Sequence, residues 1–159
     1  MSNRFGILIV LLALLIASCS SESSGPVSIV VSLDKAIMEG DMDAALALFA
    51  DDGTIEVKGD SEYSGKDQLE TILSDMLAPE GSTALLTDSD LDGENSTWIR
   101  ELCIPDAGCF TGSNEVIAID GDNIKWMREV RDPDNVILGT SSLEAIVKDG
   151  VISYWLVER

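Results

Sequence analysis

From Val27 to Phe49 apolar side chains recur at helical spacing, and a few residues later they fall at every second position. Ile29, Leu33, Ala36 and Ile37 share one face of a first helix, and Met42, Ala45, Leu46 and Phe49 share one face of a second. Gly40 is placed to end the first helix in a left-handed C-cap, where a missing Cβ removes the clash. Asp41 is placed to cap the second by accepting from its free N–H groups. Two short helices thus meet at a tight corner. Asp51, Asp52 and Gly53 break the period and predict a turn into a strand through Thr54, Ile55, Glu56 and Val57. A third helix opens at Ser64, which has capping-box spacing with Asp67, and Leu69, Ile72, Leu73, Met76 and Leu77 form its stripe before Pro79 and Gly81 stop it. Beyond Gly112 the period drops to two. Segments 115–120 and 123–131 flank Gly121-Asp122, and segments 136–148 and 151–158 flank Asp149-Gly150, which predicts two hairpins. Helices followed by an antiparallel meander make an α+β domain.

The start of the chain has a different pattern. Arg4 precedes an apolar run over 5–16, too short to span a bilayer as a mature helix and right for the h-region of a signal peptide. Ile16, Ala17, Ser18 and Cys19 follow directly, and this tetrad resembles the lipobox of bacterial lipoproteins. The resemblance implies a diacylglycerol thioether on Cys19, cleavage after residue 18, and acyl chains such as palmitate in the membrane. Each buried methylene contributes about 0.8 kcal/mol, so several chains give lasting attachment without a spanning helix. Ser20 resembles the sorting residue that sends such proteins to the outer membrane where a cell has one. Residues 20–26, SSESSGP, read as a flexible tether. The expected organisation is therefore a signal peptide over 1–18, a lipidated cysteine and tether over 19–26, and one domain over 27–159, with an insertion at about 80–113.

Charge and cysteines narrow the function classes. Ten Lys plus Arg against twenty-nine Asp plus Glu give a formal charge of -19. Such a surface repels polyanions and excludes nucleic acid as a partner; it suits solubility in a salty exterior, or attraction of cations. With Cys19 lipidated, Cys103 and Cys109 remain, and in an oxidising compartment a disulfide between them is favoured over free thiols. With no His in the chain, a transition-metal site there is disfavoured. Within the insertion, Asp88, Asp90 and Asp92 ahead of Gly93 have the D-x-D-x-D-G spacing that opens calcium loops. The twelfth position, where a bidentate Glu closes the shell, is Ile99. The competing reading makes Asp92-Gly93 a hairpin turn between strands over 83–87 and 97–102.

The motifs GDMDAALALFADDGTIEV, YSGKDQLETIL, IDGDNIKW and EAIVKDGVISYW, in this order, resemble the nuclear transport factor 2-like superfamily, in particular SnoaL-like domains. The resemblance implies a cone, in which a curved antiparallel sheet wraps three N-terminal helices around an apolar pocket, and homodimerisation through the outer sheet face. It also covers isomerases, cyclases, epoxide hydrolases, dehydratases and non-enzymatic binding domains, so the site must decide. Where isomerase members carry an aspartate base and a facing tyrosine, this chain has Val57 and Leu33. The remaining acid/base candidates are Glu144, with Tyr154 and Tyr63 as partners, although alternation through Leu143, Ala145 and Val147 would turn Glu144 outward. Trp126 and Trp155 are expected in core packing. The sequence thus favours a lipid-anchored extracytoplasmic domain that binds a small apolar ligand or a protein partner without catalysis and without a cofactor. Its rivals are a pocket-carboxylate enzyme and a calcium-stabilised structural module.

Overall fold

A computed structural model describes residues 25–91 and 93–158. Helix α1 (Pro26–Glu39) starts on a proline, whose missing N–H costs nothing in a first turn, and ends at Gly40 with φ 70°. Helix α2 (Met42–Ala47) is capped by the Asp41 carboxylate, which accepts from the Ala44 N–H at 2.9 Å. Strands β1 (Phe49–Val57) and β2 (Glu62–Ser64) form a hairpin, and α3 (Lys66–Ser74) follows. The rest of the chain is a meander: β3 (Thr83–Asp90), β4 (Thr97–Ile104), β5 (Gly108–Asp120), β6 (Asn123–Arg131), β7 (Ile137–Lys148) and β8 (Val151–Glu158).

All eight strands join one unclosed sheet in the order β2-β1-β8-β7-β6-β5-β4-β3, with β1 and β8 parallel and the other neighbours antiparallel. The helices cover its inner face. Val30, Leu33 and Ile37 of α1 and Leu69 and Leu73 of α3 pack on Ile55, Trp126, Leu143 and Trp155 in one core. The architecture is the expected cone: an α+β fold in which a curved sheet wraps three helices.

Local expectations differ from the structure at three places. Asp51, Asp52 and Gly53 do not make a turn; they lie within β1, where the register against β8 shifts between Phe49 and Thr54. Phe49 accordingly opens that strand and packs on Trp155 rather than ending α2. Ser64 is not an N-cap. Gly65 holds that position, the Ser64 N–H donates to Gln68 Oε1, and the Ser64 hydroxyl pairs with Thr54 across the β1–β2 hairpin.

The segment 80–113 is part of the sheet. It supplies β3, β4 and the first residues of β5, paired residue for residue from Thr97↔Glu115 to Ile104↔Gly108. The calcium-loop reading finds no support in this arrangement: Asp88 and Asp90 continue the extended strand β3, and Asp92 lies outside the described residues. A 3-10 turn over Gly93–Asn95 closes the β3–β4 hairpin, as the competing turn reading requires. Cys103 and Cys109 are cross-strand partners and form a disulfide. They sit beside Glu101, but a disulfide sulfur has no thiolate to offer a metal.

Candidate functional site

Alternation along β4, β5 and β6 puts Trp98, Asn114 and Arg128 in one row across the inner face, because Trp98 pairs with Asn114 and Asn114 with Arg128. Asp34, on the apolar side of α1, comes down onto this row. Arg128 Nη2 donates to both Asp34 carboxylate oxygens at 2.6 and 2.7 Å, and Trp98 Nε1 donates to Oδ2 at 2.8 Å. Arg128 Nε donates in turn to Asn114 Oδ1 at 2.7 Å, and Asn114 Nδ2 reaches the Trp98 carbonyl at 3.3 Å. Every member of this ring is buried.

Arg100 joins the network from one step further along β4. Its Nη1 donates to Asp34 Oδ1 at 3.4 Å, and this is its one hydrogen bond among the described residues. The side chain lies over Gly112, its partner on β5: a Cβ there would stand 2.8 Å from Arg100 Nε. A glycine is therefore what lets the guanidinium lie flat on the sheet.

Burial alone would push the Asp34 carboxyl up, but Arg128, then Arg100, with hydrogen bonds from Trp98 and Arg128, outweigh it and hold the group below the usual carboxylate range. Arg100 is pushed down to about 10 by burial and by Arg128, and Asp34 offsets this only in part. Arg100 stays a cation at neutral pH.

Two adjoining hollows of about 250 and 160 Å³ open beside this network. Ile37, Met76, Arg100 and Val130 line both, while Trp155 and Arg128 border the larger and Phe110 and Leu102 the smaller. Trp155 Nε1 is buried without a hydrogen-bond partner. Asp75 stands exposed at the rim. The site is an apolar hollow with a donor-rich floor.

The residues singled out from sequence lie elsewhere. Glu144 is turned to the outer face of β7 by the alternation that buries Leu143, Ala145 and Val147, and there it accepts from Asn123 Nδ2 at 2.6 Å and pairs with Lys125 at 3.0 Å. Although burial opposes it, hydrogen bonds from Asn123 and Lys125 and the Lys125 charge pull its carboxyl down, the reverse of what a general base at neutral pH needs. Tyr154 is on the same outer face and donates to Glu56 Oε2 at 2.6 Å. Burial, then the bond to and charge of Glu56, push its hydroxyl up to about 12. Tyr63 is on edge strand β2 opposite Ile55. None of the three lines either of the two hollows. Val57 and Leu33 are buried in the core, as are Trp126 and Trp155. Cys19 lies outside the described residues.

Sequence reasoning passed over Asp34, Trp98, Arg100, Asn114 and Arg128. The signal was present. Asp34 interrupts the stripe of α1 between Val30 and Ile37, and Arg128 takes the inward parity of Ile124 and Trp126. A charge at an apolar parity is costly unless paired, so three on separate elements call for one another.

No family model matches the chain, and no curated protein matches it in sequence. Solved structures do match in fold. A cystatin-fold protein from Novosphingobium aromaticivorans aligns over 85% of this chain and 98% of its own with 10% identity and a TM-score of 0.51. A proposed polyketide cyclase from Sinorhizobium meliloti aligns over 81% and 92% with 18% identity and a TM-score of 0.50. An NTF2-like protein of unknown function from Cytophaga hutchinsonii aligns over 83% and 87% with 8% identity and a TM-score of 0.48. The chain thus has the cystatin-like fold, shared by a proposed enzyme and by an uncharacterised protein. At these identities the likeness concerns architecture alone.

Proposed function

We propose that this chain is a lipid-anchored extracytoplasmic binding domain, which holds a small amphipathic molecule in the hollow of its cone and does no chemistry on it. The observation that carries this reading is the state of Asp34, the one acid among the buried residues described. Its two oxygens accept from Arg128, Trp98 and Arg100, and its carboxyl is held low, so it lacks the basicity to take a proton from a ligand. Glu144 and Tyr154, which have the right chemistry, turn away from the hollow.

The anchor rests on the lipobox-like Ile16 to Cys19 stretch behind its apolar run. The Cys103–Cys109 disulfide suits the oxidising compartment beyond the inner membrane. No helix among the described residues is long and apolar enough to cross a bilayer.

One preparation tests both halves. The full-length chain is made in a bacterium fed an alkynyl fatty acid, purified from the envelope, and extracted with solvent for mass spectrometry. The reading expects label on the wild type and none on Cys19→Ser. It also expects a recovered small molecule that disappears in Val130→Trp, where the new ring intrudes on both hollows. An unlabelled wild type removes the anchor. Turnover of the recovered molecule by the wild type, lost in Asp34→Asn, removes the non-catalytic reading.

A further inference from the structure

We propose that the molecule held in the cone is an amphipathic carboxylate, its apolar body in the hollow and its headgroup on the Arg100 guanidinium. This rests on the binding reading above and adds the ligand's chemical class.

The first argument is charge. Asp34 contributes one negative charge to the interior and Arg100 and Arg128 contribute two positive ones, so the network carries one excess positive charge. The chain as a whole carries -19. The negative field of the chain stabilises a cation here, so the excess positive charge is by itself no burden; what it provides is a local attraction for an anion at a guanidinium that is 23% exposed beside an apolar hollow.

The second argument is hydrogen-bond accounting. A guanidinium has five N–H donors in a planar fork suited to a carboxylate. Arg128 uses Nε on Asn114 and Nη2 on Asp34, and its Nη1 has no acceptor among the described residues. Arg100 makes one long bond at 3.4 Å, to an oxygen that Arg128 already holds at 2.6 Å. Its other donors have no acceptor among the described residues, although it lines both hollows. Trp155 Nε1, buried and unpartnered, borders the larger one. Neither the spare Arg100 donors nor Trp155 Nε1 is bonded to an acceptor among the described residues, and a carboxylate supplies two oxygens with their lone pairs.

The third argument is shape. Ile37, Met76, Leu102, Phe110 and Val130 offer apolar contact for a short chain or ring, and Gly112 leaves the guanidinium its seat. The Asp75 carboxylate at the exposed rim repels a second negative charge at the mouth, which favours a monoanion.

The test uses the full-length chain in lipid nanodiscs, with empty nanodiscs as the partition blank, and three probes of one length: octanoate, octanol and octylammonium. Binding is read from tryptophan fluorescence and the melting temperature. Octanoate is expected to bind at least about tenfold more tightly than octanol, the scale of one charge-assisted contact, and octylammonium more weakly than either. Arg100→Met is expected to erase the preference for octanoate and keep octanol binding, and Arg100→Lys to keep part of the preference. Should Arg100→Met fail to fold, Gly112→Ala, which displaces the guanidinium but keeps its charge, is expected to reduce the preference. Equal binding of octanoate and octanol by the wild type overturns the inference and leaves the hollow as a ligand site. No binding of any probe overturns both. A preference that survives in both Arg100→Met and Gly112→Ala also overturns it, because the anion would then be held elsewhere.

Discussion

Replacing Asp34 with alanine is expected to cost about 3–5 kcal/mol of folding stability, the range for breaking a buried ion pair from one side. The structure places the loss at that end of the scale for a stated reason. The substitution removes the acceptor of four bonds, two from Arg128 Nη2, one from Trp98 Nε1 and one from Arg100 Nη1, and leaves the Arg128 guanidinium, 11% exposed, with only Asn114. Arg100 is 23% exposed and so is better hydrated than Arg128, although both border the larger hollow. A domain of this size has about 5–15 kcal/mol in all, so the variant would be near the edge of folding at 37 °C.

The discriminating measurement is a double-mutant cycle read by urea unfolding, with Trp98 and Trp126 as core reporters, their ring centroids 6.2 Å apart. Asp34→Asn keeps the shape and one acceptor oxygen, and should fall between wild type and alanine. The pair Asp34→Leu with Arg128→Met exchanges ion for hydrocarbon at similar volume and should recover at least half of the loss, since buried pairs replaced whole are often neutral. A cost below about 1 kcal/mol for Asp34→Ala, the value of a surface pair, would refute the account of this network as buried and mutually dependent.

The same carboxylate sets the acid limb of stability. Its folded-state pKa lies below its ordinary 3.8, so its contribution is complete above that value and drains as pH falls beneath it; Asp34→Asn should flatten this part of the pH–stability curve. Tyr154, pushed up to about 12, should ionise late in an ultraviolet alkaline titration, and Glu56→Gln should bring it earlier by removing the nearby charge and leaving a neutral amide oxygen as acceptor. Serine at both Cys103 and Cys109 should lower stability by about 2 kcal/mol, the chain-entropy value for so short a loop, with the far-ultraviolet spectrum unchanged because β4 and β5 keep their ladder. Glu144→Gln should leave ligand binding in the hollow untouched, since the group lies on the other face of the sheet; a binding loss above about tenfold would refute that placement.

The fold was legible where one residue carries a local instruction. Gly40 and Asp41 specify the α1–α2 corner by themselves, and both act as expected. Gly121-Asp122 and Asp149-Gly150 specify hairpins in the same way, Asp149 and both glycines taking positive φ. Expectation failed where a partner distant in sequence decides. Asp51, Asp52 and Gly53 look like a turn until β8 arrives alongside to hold them in a bulged strand. Ser64 has capping chemistry, but Thr54 on the neighbouring strand takes its hydroxyl. The segment 80–113 looks surplus because it is longer than a compact cone needs, yet β4 pairs along β5 and β3 along β4, which extends the sheet.

The site was harder to read for a related reason: its members are ordinary alone. One Asp in a helix, or one Arg in a strand, has a solvated position as its default. The information is in parity, because Asp34, Arg100 and Arg128 each take the inward slot of an otherwise apolar element, and in their sum, because the three charges do not cancel. A network built only to fasten α1 to the sheet would hold with Asp34, Trp98, Asn114 and Arg128, in which Trp98 Nε1, Arg128 Nε and Arg128 Nη2 all find acceptors. Arg100 adds nothing to that closure except a long bond to an oxygen already held, at the cost of burying a second guanidinium beside the first. Its placement over Gly112 and against the hollow is economical only if an anion from outside the chain completes it. The same physics that makes Asp34 a poor base therefore makes Arg100 a good receptor: one charge is saturated by the fold, and the other is left for a ligand.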